Sequence, residues 1–287
     1  MEELEQIKKR FESKNDALTQ DVSFNEWHRI YRNTNENLAG YMKELEGKKV
    51  LTVAASGDYK LNAINLGAVV VDTFDINRIA PLYQELKVKA IQYLDIESAL
   101  QFLYEMDKET YKEFNSHLSI TAKEVFDYLF NNFSINQIYD KLFDHGRCLR
   151  SNNTYFNGVA IRVIKEKLEE VKSMHYSCNV YSLPYMLNRT YDTIYLSNIS
   201  QYEDASKYLS FLRTLRHSLT DDGKIYFGYS YSTTTDDLDT NLHLINGSYS
   251  QIDKDSFEDL YKDMDVEIIS GASGNVGDID AVISLKK

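Results

Sequence analysis

Cysteine is scarce in this chain: Cys148 and Cys178 are the only two in 287 residues. They have no metal-ligand spacing and form no disulfide framework, so reduced thiols, a cytoplasmic setting and no metal are expected. Long hydrophobic runs are missing as well. Nothing approaches the roughly 18 apolar residues that cross a bilayer, so no membrane span is expected. The first residues, MEELEQIKKR, read as a charged helix and not as a signal peptide. Positive charge is in deficit, with 32 Lys and Arg against 44 Asp and Glu and a net charge of −12. A phosphate backbone is repelled on average, so nucleic acid is not expected as the main partner. There is no internal repeat and no low-complexity linker. The 43% hydrophobic fraction is ordinary for a soluble protein and allows one sizeable core, with or without an insertion. The 22 tyrosines read as compositional bias.

The informative stretch is 48–94. Lys49–Ala54 (KVLTVA) is a short, β-branched apolar run, as a buried strand should be. Ala55, Ser56, Gly57 and Asp58 then turn the chain into a helix over Tyr59–Leu66. A second strand, Ala68–Phe74, ends at Asp75. This is the layout of a nucleotide-binding βαβ unit, in which small residues let backbone approach a ligand and a carboxylate meets ribose hydroxyls. Only Gly57 falls in the turn, so the three-glycine fingerprint that cradles a pyrophosphate is missing. An ordinary strand-to-helix turn followed by a surface acid is the alternative.

Helices are expected over Glu2–Ser13 and Asn25–Glu46, with Gly47 as a breaker. After Asp75 strand signals vanish until about Val171. Pro81 suits the first turn of a helix reaching Leu94. More helices are expected at Ile96–Met106, Thr121–Phe133, Ile135–Phe143 and Val159–Val171, with a polar loop over Asp144–Gly158. Strands return at Tyr191–Leu196 and Lys224–Tyr231, separated by a helix over Ala205–Leu219 and a turn at Asp221–Gly223. Asp236–Ser250 reads as a polar excursion and Asp255–Met264 as a helix. Val266–Ser270 and Ala281–Leu285 close the chain as an antiparallel pair. The alternation implies α/β architecture, a mostly parallel sheet with helices on both faces.

The order of elements resembles the Rossmann-like fold of class I S-adenosylmethionine (SAM) dependent methyltransferases over about 47–80 and 173–287. SGD (56–58), FDIN (74–77), LK with Ala90-Ile91 beyond it, and YLSN (195–198) are similar to the betaine-lipid 3-amino-3-carboxypropyltransferase-like family. The resemblance implies three regions: an N-terminal helical segment (1–46), a SAM-binding domain (47–80 and 173–287) and a helical insertion (81–172) over the acceptor. It implies SAM as cofactor, held by Ala55, Ser56, Gly57 and Asp58 at the methionine part and by Asp75 at the ribose. Asn77 supports the ribose or caps the next helix, and Cys178, Asn179 and Val180 match the adenine segment. Asn198 falls where the transferred group lies, as a catalytic and cofactor-binding candidate.

The acid usual in the first motif is replaced by Val53 and Ala54. For the acceptor, His145 is a candidate base, and Arg147 and Arg150 are candidates to bind carboxylate or phosphate. Tyr229 and Tyr231 are candidates to line the pocket. His175 and His217 read as structural, and Lys87 as lying on a solvated helix face. Methyl transfer to a small-molecule acceptor is the leading expectation. Aminocarboxypropyl transfer and a non-catalytic SAM-fold partner are the alternatives, and oligomeric state is left open.

Overall fold

The computed structural model describes residues 2–12, 26–144, 150–231, 257–271 and 279–287. Its centre is a seven-stranded sheet. The strands are β1 (Lys49–Val53), β2 (Val70–Asp75), β3 (His175–Ser177), β4 (Tyr191–Tyr195), β5 (Leu219–Ser230), β6 (Met264–Ser270) and β7 (Ile279–Lys286). Their spatial order is β3-β2-β1-β4-β5-β7-β6, parallel from β3 to β5, with β7 antiparallel to both of its neighbours. The first five strands follow the doubly wound order, which reverses between β1 and β4, and ligands of such sheets bind outside the carboxyl ends of the strands there. The expected mixed α/β class, its mostly parallel sheet and the closing antiparallel pair are therefore observed.

Local sequence explains the centre. In β1 all residues after Lys49 are buried, as a strand covered on both faces requires. β2 is buried throughout, including Asp72, whose Oδ1 accepts from the Met174 N–H at 2.8 Å and whose Oδ2 accepts from the Tyr191 hydroxyl at 2.8 Å. The turn at Asp221–Gly223 lies inside β5, where pairing to β4 shifts register between Tyr191 and Thr193.

Helices surround the sheet. After β1 comes α3 (Asp58–Asn65), preceded in the chain by α1 (Glu2–Glu12) and the single turn α2 (Leu38–Tyr41). Between β2 and β3 run α4 (Ala80–Tyr93), α5 (Ile96–Glu105), α6 (Lys108–Phe114), α7 (Ile120–Asn132), α8 (Ile135–Leu142) and α9 (Gly158–Lys167). The expected helices of this region are present, and α6 is an addition, capped by Asp107, which accepts from the Thr110 N–H. The excursion is tied back to α3 by Asn62, whose Nδ2 donates to Asn153 Oδ1 at 2.6 Å and whose Oδ1 accepts from the Thr154 N–H at 2.7 Å.

Two expectations fail. The helix expected over Asn25–Glu46 is an irregular segment from 26, carrying a two-residue strand (Ile30–Tyr31, paired with Phe143–Asp144) and the turn α2. Asn33, Asn35 and Asn37 explain the break, because short amides compete for backbone hydrogen bonds; Asn37 Oδ1 accepts from the Gly40 N–H at 3.0 Å. Lys87 is not solvated either. It is 1% exposed, with Nζ 2.7 Å from Asp58 Oδ1, 2.8 Å from the Arg32 carbonyl and 3.1 Å from Asn33 Oδ1. It stands on the buried stripe of α4 with Ala80, Tyr83, Gln84, Ala90 and Ile91.

Among the described residues no helix is long and apolar enough to cross a membrane, and no group of three His, Cys, Asp or Glu could hold a metal ion. The excursion at Asp236–Ser250 lies outside the described residues.

Candidate functional site

A cleft opens at the carboxyl ends of β1, β2, β3 and β4, where the strand order reverses, and the segment from His28 to Glu36 covers it. The strand ends contribute Val53, Ala55, Ser56, Phe74, Asp75, Ile76, Asn77, Cys178, Asn179, Val180, Ser197 and Asn198. From the candidate residues, the fold thus gathers Ala55, Ser56, Asp75, Asn77, Asn179, Val180 and Asn198 in one place.

Asp75 ends β2 with its carboxylate held by backbone. Oδ2 accepts from the Ala55 N–H and Oδ1 from the Asn77 N–H, each at 2.9 Å. Burial pushes its carboxyl up to about 6, partly offset by the N–H groups of Asn77, Ala55 and Ile76. Each oxygen retains a lone pair for a hydroxyl.

Asn77 does something different from its neighbour. Its Oδ1 accepts from the N–H groups of Ile79 and Ala80, at 2.8 and 3.3 Å, and its Nδ2 donates to the His28 carbonyl at 2.7 Å. It therefore fixes the entry to α4 and ties down the covering segment. Asn179 Oδ1 accepts from the Ser182 N–H at 3.0 Å, fixing the loop after β3. Cys178 is a free thiol on the cleft wall, pushed up to about 11 by burial and by the Asp75 charge. Asn198 precedes a short 3-10 turn (Ile199–Tyr202) but makes no side-chain cap to it.

Two non-glycine residues at the cleft have left-handed backbone, Ala55 (φ 41°) just past β1 and Ser197 (φ 55°) just past β4. Such conformations concentrate at ligand sites because the surrounding structure must enforce them. Gly57 (φ 81°) precedes α3, and a Cβ there would stand 3.2 Å from Gln84 Cα of α4. It allows helix packing and does not itself line the cleft. Gly57→Ala is expected to destabilise the fold by about 1–2 kcal/mol, read as a lower urea midpoint; an unchanged midpoint would contradict this role.

Three candidates stand elsewhere. Asp58 is fully buried behind the cleft, bound to Lys87, the Thr34 N–H and the Tyr155 hydroxyl. Tyr229 is fully buried too: its hydroxyl donates to Asp280 at 2.5 Å and accepts from the Asn37 N–H at 2.8 Å, so it does not face an acceptor. Tyr231, beyond it, does not line the cleft. His145 and Arg147 lie outside the described residues; Arg150 begins a 3-10 turn (Arg150–Asn152), and only its backbone is described. His175 is held neutral near pH 7, pushed down to about 4 by burial and by Lys60, with Nδ1 3.0 Å from Thr73 Oγ1.

The residue that sequence reasoning missed is Glu36. It lines the cleft at 1% exposure, and its carboxylate accepts from the hydroxyls of Tyr41 (3.0 Å), Tyr59 and Ser197. Burial raises its carboxyl above the ordinary range, against the pull of those three hydroxyls, and the Asp280 charge adds to the rise. Among the described residues no cation pairs with it. The run of Asn residues before it was the available signal that 26–46 is not a helix.

No family model and no curated protein matches this chain. Several solved structures follow a similar chain path. The rRNA methyltransferase aviRa from Streptomyces viridochromogenes is 11% identical at a TM-score of 0.41, over 84% of this chain and 77% of that one. The N-methyltransferase NodS from Bradyrhizobium japonicum WM9, in complex with S-adenosyl-L-homocysteine, is 7% identical at a TM-score of 0.40, over 99% and 98%. An rRNA methylase from Streptococcus thermophilus is 7% identical at a TM-score of 0.36, over 85% and 89%. At these values the likeness concerns chain path and does not extend to shared chemistry.

Proposed function

We infer that the chain is a SAM-dependent transferase, moving a methyl group to a small-molecule acceptor. The observation that carries this reading is the presence of two buried carboxylates of different character in one cleft. Asp75, with one N–H on each oxygen, suits a pair of ribose hydroxyls. Glu36, surrounded by hydroxyls and paired with no cation among the described residues, suits a ligand that brings its own positive charge. SAM has both a ribose diol and positive charge, on its ammonium and sulfonium. A nicotinamide dinucleotide brings a pyrophosphate, which Glu36 repels and for which the single-glycine turn is poorly built.

When bound, the sulfonium supplies an already activated carbon, so the protein's contribution is to position, to orient dipoles and to exclude water. Asp75 and the loop after β3 would fix the nucleoside. Glu36 would fix the charged end, and Asn198, with no cap to make, would face the transferred group or the acceptor. The segment from His28 to Glu36, which covers the cleft, would form the lid; the helices between β2 and β3 supply none of the described residues that line the cleft. The net charge of −12 supports a small acceptor over nucleic acid. Aminocarboxypropyl transfer is the second reading, favoured by the SGD, FDIN and YLSN motifs.

Calorimetric titration of SAM tests the cofactor, with binding in the micromolar range expected. Glu36→Gln keeps the shape and removes the charge, and is expected to weaken SAM by about tenfold, about 1.4 kcal/mol. Turnover with candidate acceptors separates the two transfers, since methyl transfer leaves S-adenosylhomocysteine and the alternative leaves methylthioadenosine. Absence of binding by the folded protein would overturn the transferase reading.

A further inference from the structure

Four of the eight arginines whose side chains are described have an acidic partner: Arg78 pairs with Glu2, Arg189 with Asp72, Arg213 with Asp259 and Arg216 with Asp263. The other four enter no ion pair among the described residues: Arg162 is exposed, Arg32 donates to the Tyr104 carbonyl and lies over the Tyr139 ring, and Arg10 and Arg29 remain. Arg29 Nε and Arg10 Nη1 are buried with no hydrogen-bond partner, and neither residue enters an ion pair among the described residues. This occurs in a chain with 44 acidic residues against 32 basic ones, where partners are plentiful. Arg10 stands on the inward face of α1, on the stripe of Ile7 and Phe11. Arg29 lies on the segment that covers the cleft and is itself part of the cleft wall. The backbone beside it is pinned to the end of β2, through Asn77 Nδ2 and the His28 carbonyl.

Burial and the charge of nearby Arg29 push Arg10 down to about 10. Desolvating two like charges near each other costs stability in the empty protein, and an anion between them offsets that cost. Guanidinium donors are geometrically matched to the paired oxygens of carboxylate and phosphate.

We propose that Arg29 and Arg10 form an anion-binding subsite at the edge of the cleft, taking a carboxylate or phosphate group. Its place beside a cofactor rests on the SAM reading above. The anion has two available sources, the carboxylate of the cofactor's methionine part or an anionic group on the acceptor.

The test titrates inorganic phosphate, SAM and methylthioadenosine into the full chain at constant ionic strength, as wild type, Arg29→Gln, Arg10→Gln and Arg29→Lys. Phosphate is expected to bind wild type in the millimolar range and raise its Tm. Each Gln variant should lose at least about tenfold in phosphate affinity, and Arg29→Lys should retain part of it. If the anion belongs to the cofactor, Arg29→Gln weakens SAM and spares methylthioadenosine, which lacks the carboxylate, and phosphate competes with SAM. If it belongs to the acceptor, SAM affinity is unchanged in the variant and phosphate binds the SAM-loaded protein equally well. Phosphate that fails to bind folded wild type, or that binds the Gln variants as tightly, overturns the subsite whatever SAM does. Phosphate binding that depends on Arg29 in a protein that ignores SAM supports the subsite and overturns only the cofactor reading.

Discussion

Asp75→Ala is expected to weaken SAM binding by at least about tenfold, or about 1.4 kcal/mol, in calorimetric titrations at pH 8. The substitution removes the proposed acceptor of the ribose hydroxyls. It also frees the Ala55 and Asn77 N–H groups that the carboxylate holds at 2.9 Å, at a turn where Ala55 has left-handed backbone. The pH dependence follows from the same residue. Burial pushes its carboxyl up to about 6, and hydroxyl donors favour the ionised form. Affinity should therefore be full above about pH 6 and fall as the pH drops through it, while Asp75→Ala loses this dependence.

The effect on folding has the opposite sign. A carboxyl raised by burial contributes stability that is fully present below its ordinary value near 3.8 and is lost as the pH rises through about 6. Asp75 therefore destabilises the empty protein under the conditions in which it binds best. Equal SAM affinity in wild type and Asp75→Ala at pH 8 would remove Asp75 from the ribose site.

The strand-turn-helix-strand unit was legible because its signals are local. β1 and β2 are unbroken apolar runs, the turn is small, and Asp75 stands where the second run stops. The same locality made the helices of 80–167 readable from their stripes. What could not be read depended on partners distant in sequence. Tyr229 ends a strand like any exposed tyrosine until Asp280 and Asn37 close over its hydroxyl. Glu36 becomes a site residue only because Tyr59 and Ser197, on separate elements, converge on it. Lys87 had a signal in its own helix, since its position continues the stripe of Tyr83 and Ala90. Charge outweighed spacing there, and spacing was the better guide because a buried partner was waiting on α3.

That partner makes Lys87→Met the substitution with the largest expected effect on stability. Removing the ammonium leaves the fully buried Asp58 carboxylate facing the Tyr155 hydroxyl and the Thr34 N–H, neither of which carries a charge. Breaking one side of a buried pair typically costs about 3–5 kcal/mol, a large share of a marginal total. Urea unfolding should show an unfolding free energy lowered by that amount, read as a lower midpoint at unchanged slope. Lys87→Met combined with Asp58→Asn should recover much of the loss, because the uncompensated charge is gone. A single-variant loss below about 1 kcal/mol, the scale of an exposed pair, would contradict the buried geometry.

The pair also links stability to the site. Lys87 holds the Arg32 carbonyl and Asn33 Oδ1, and Asp58 holds the Thr34 N–H. These are the residues that lead the covering segment to Glu36. The double variant should therefore refold with its SAM affinity still below wild type, since neutral side chains restore the charge balance but not the anchor that brings Glu36 over the cleft.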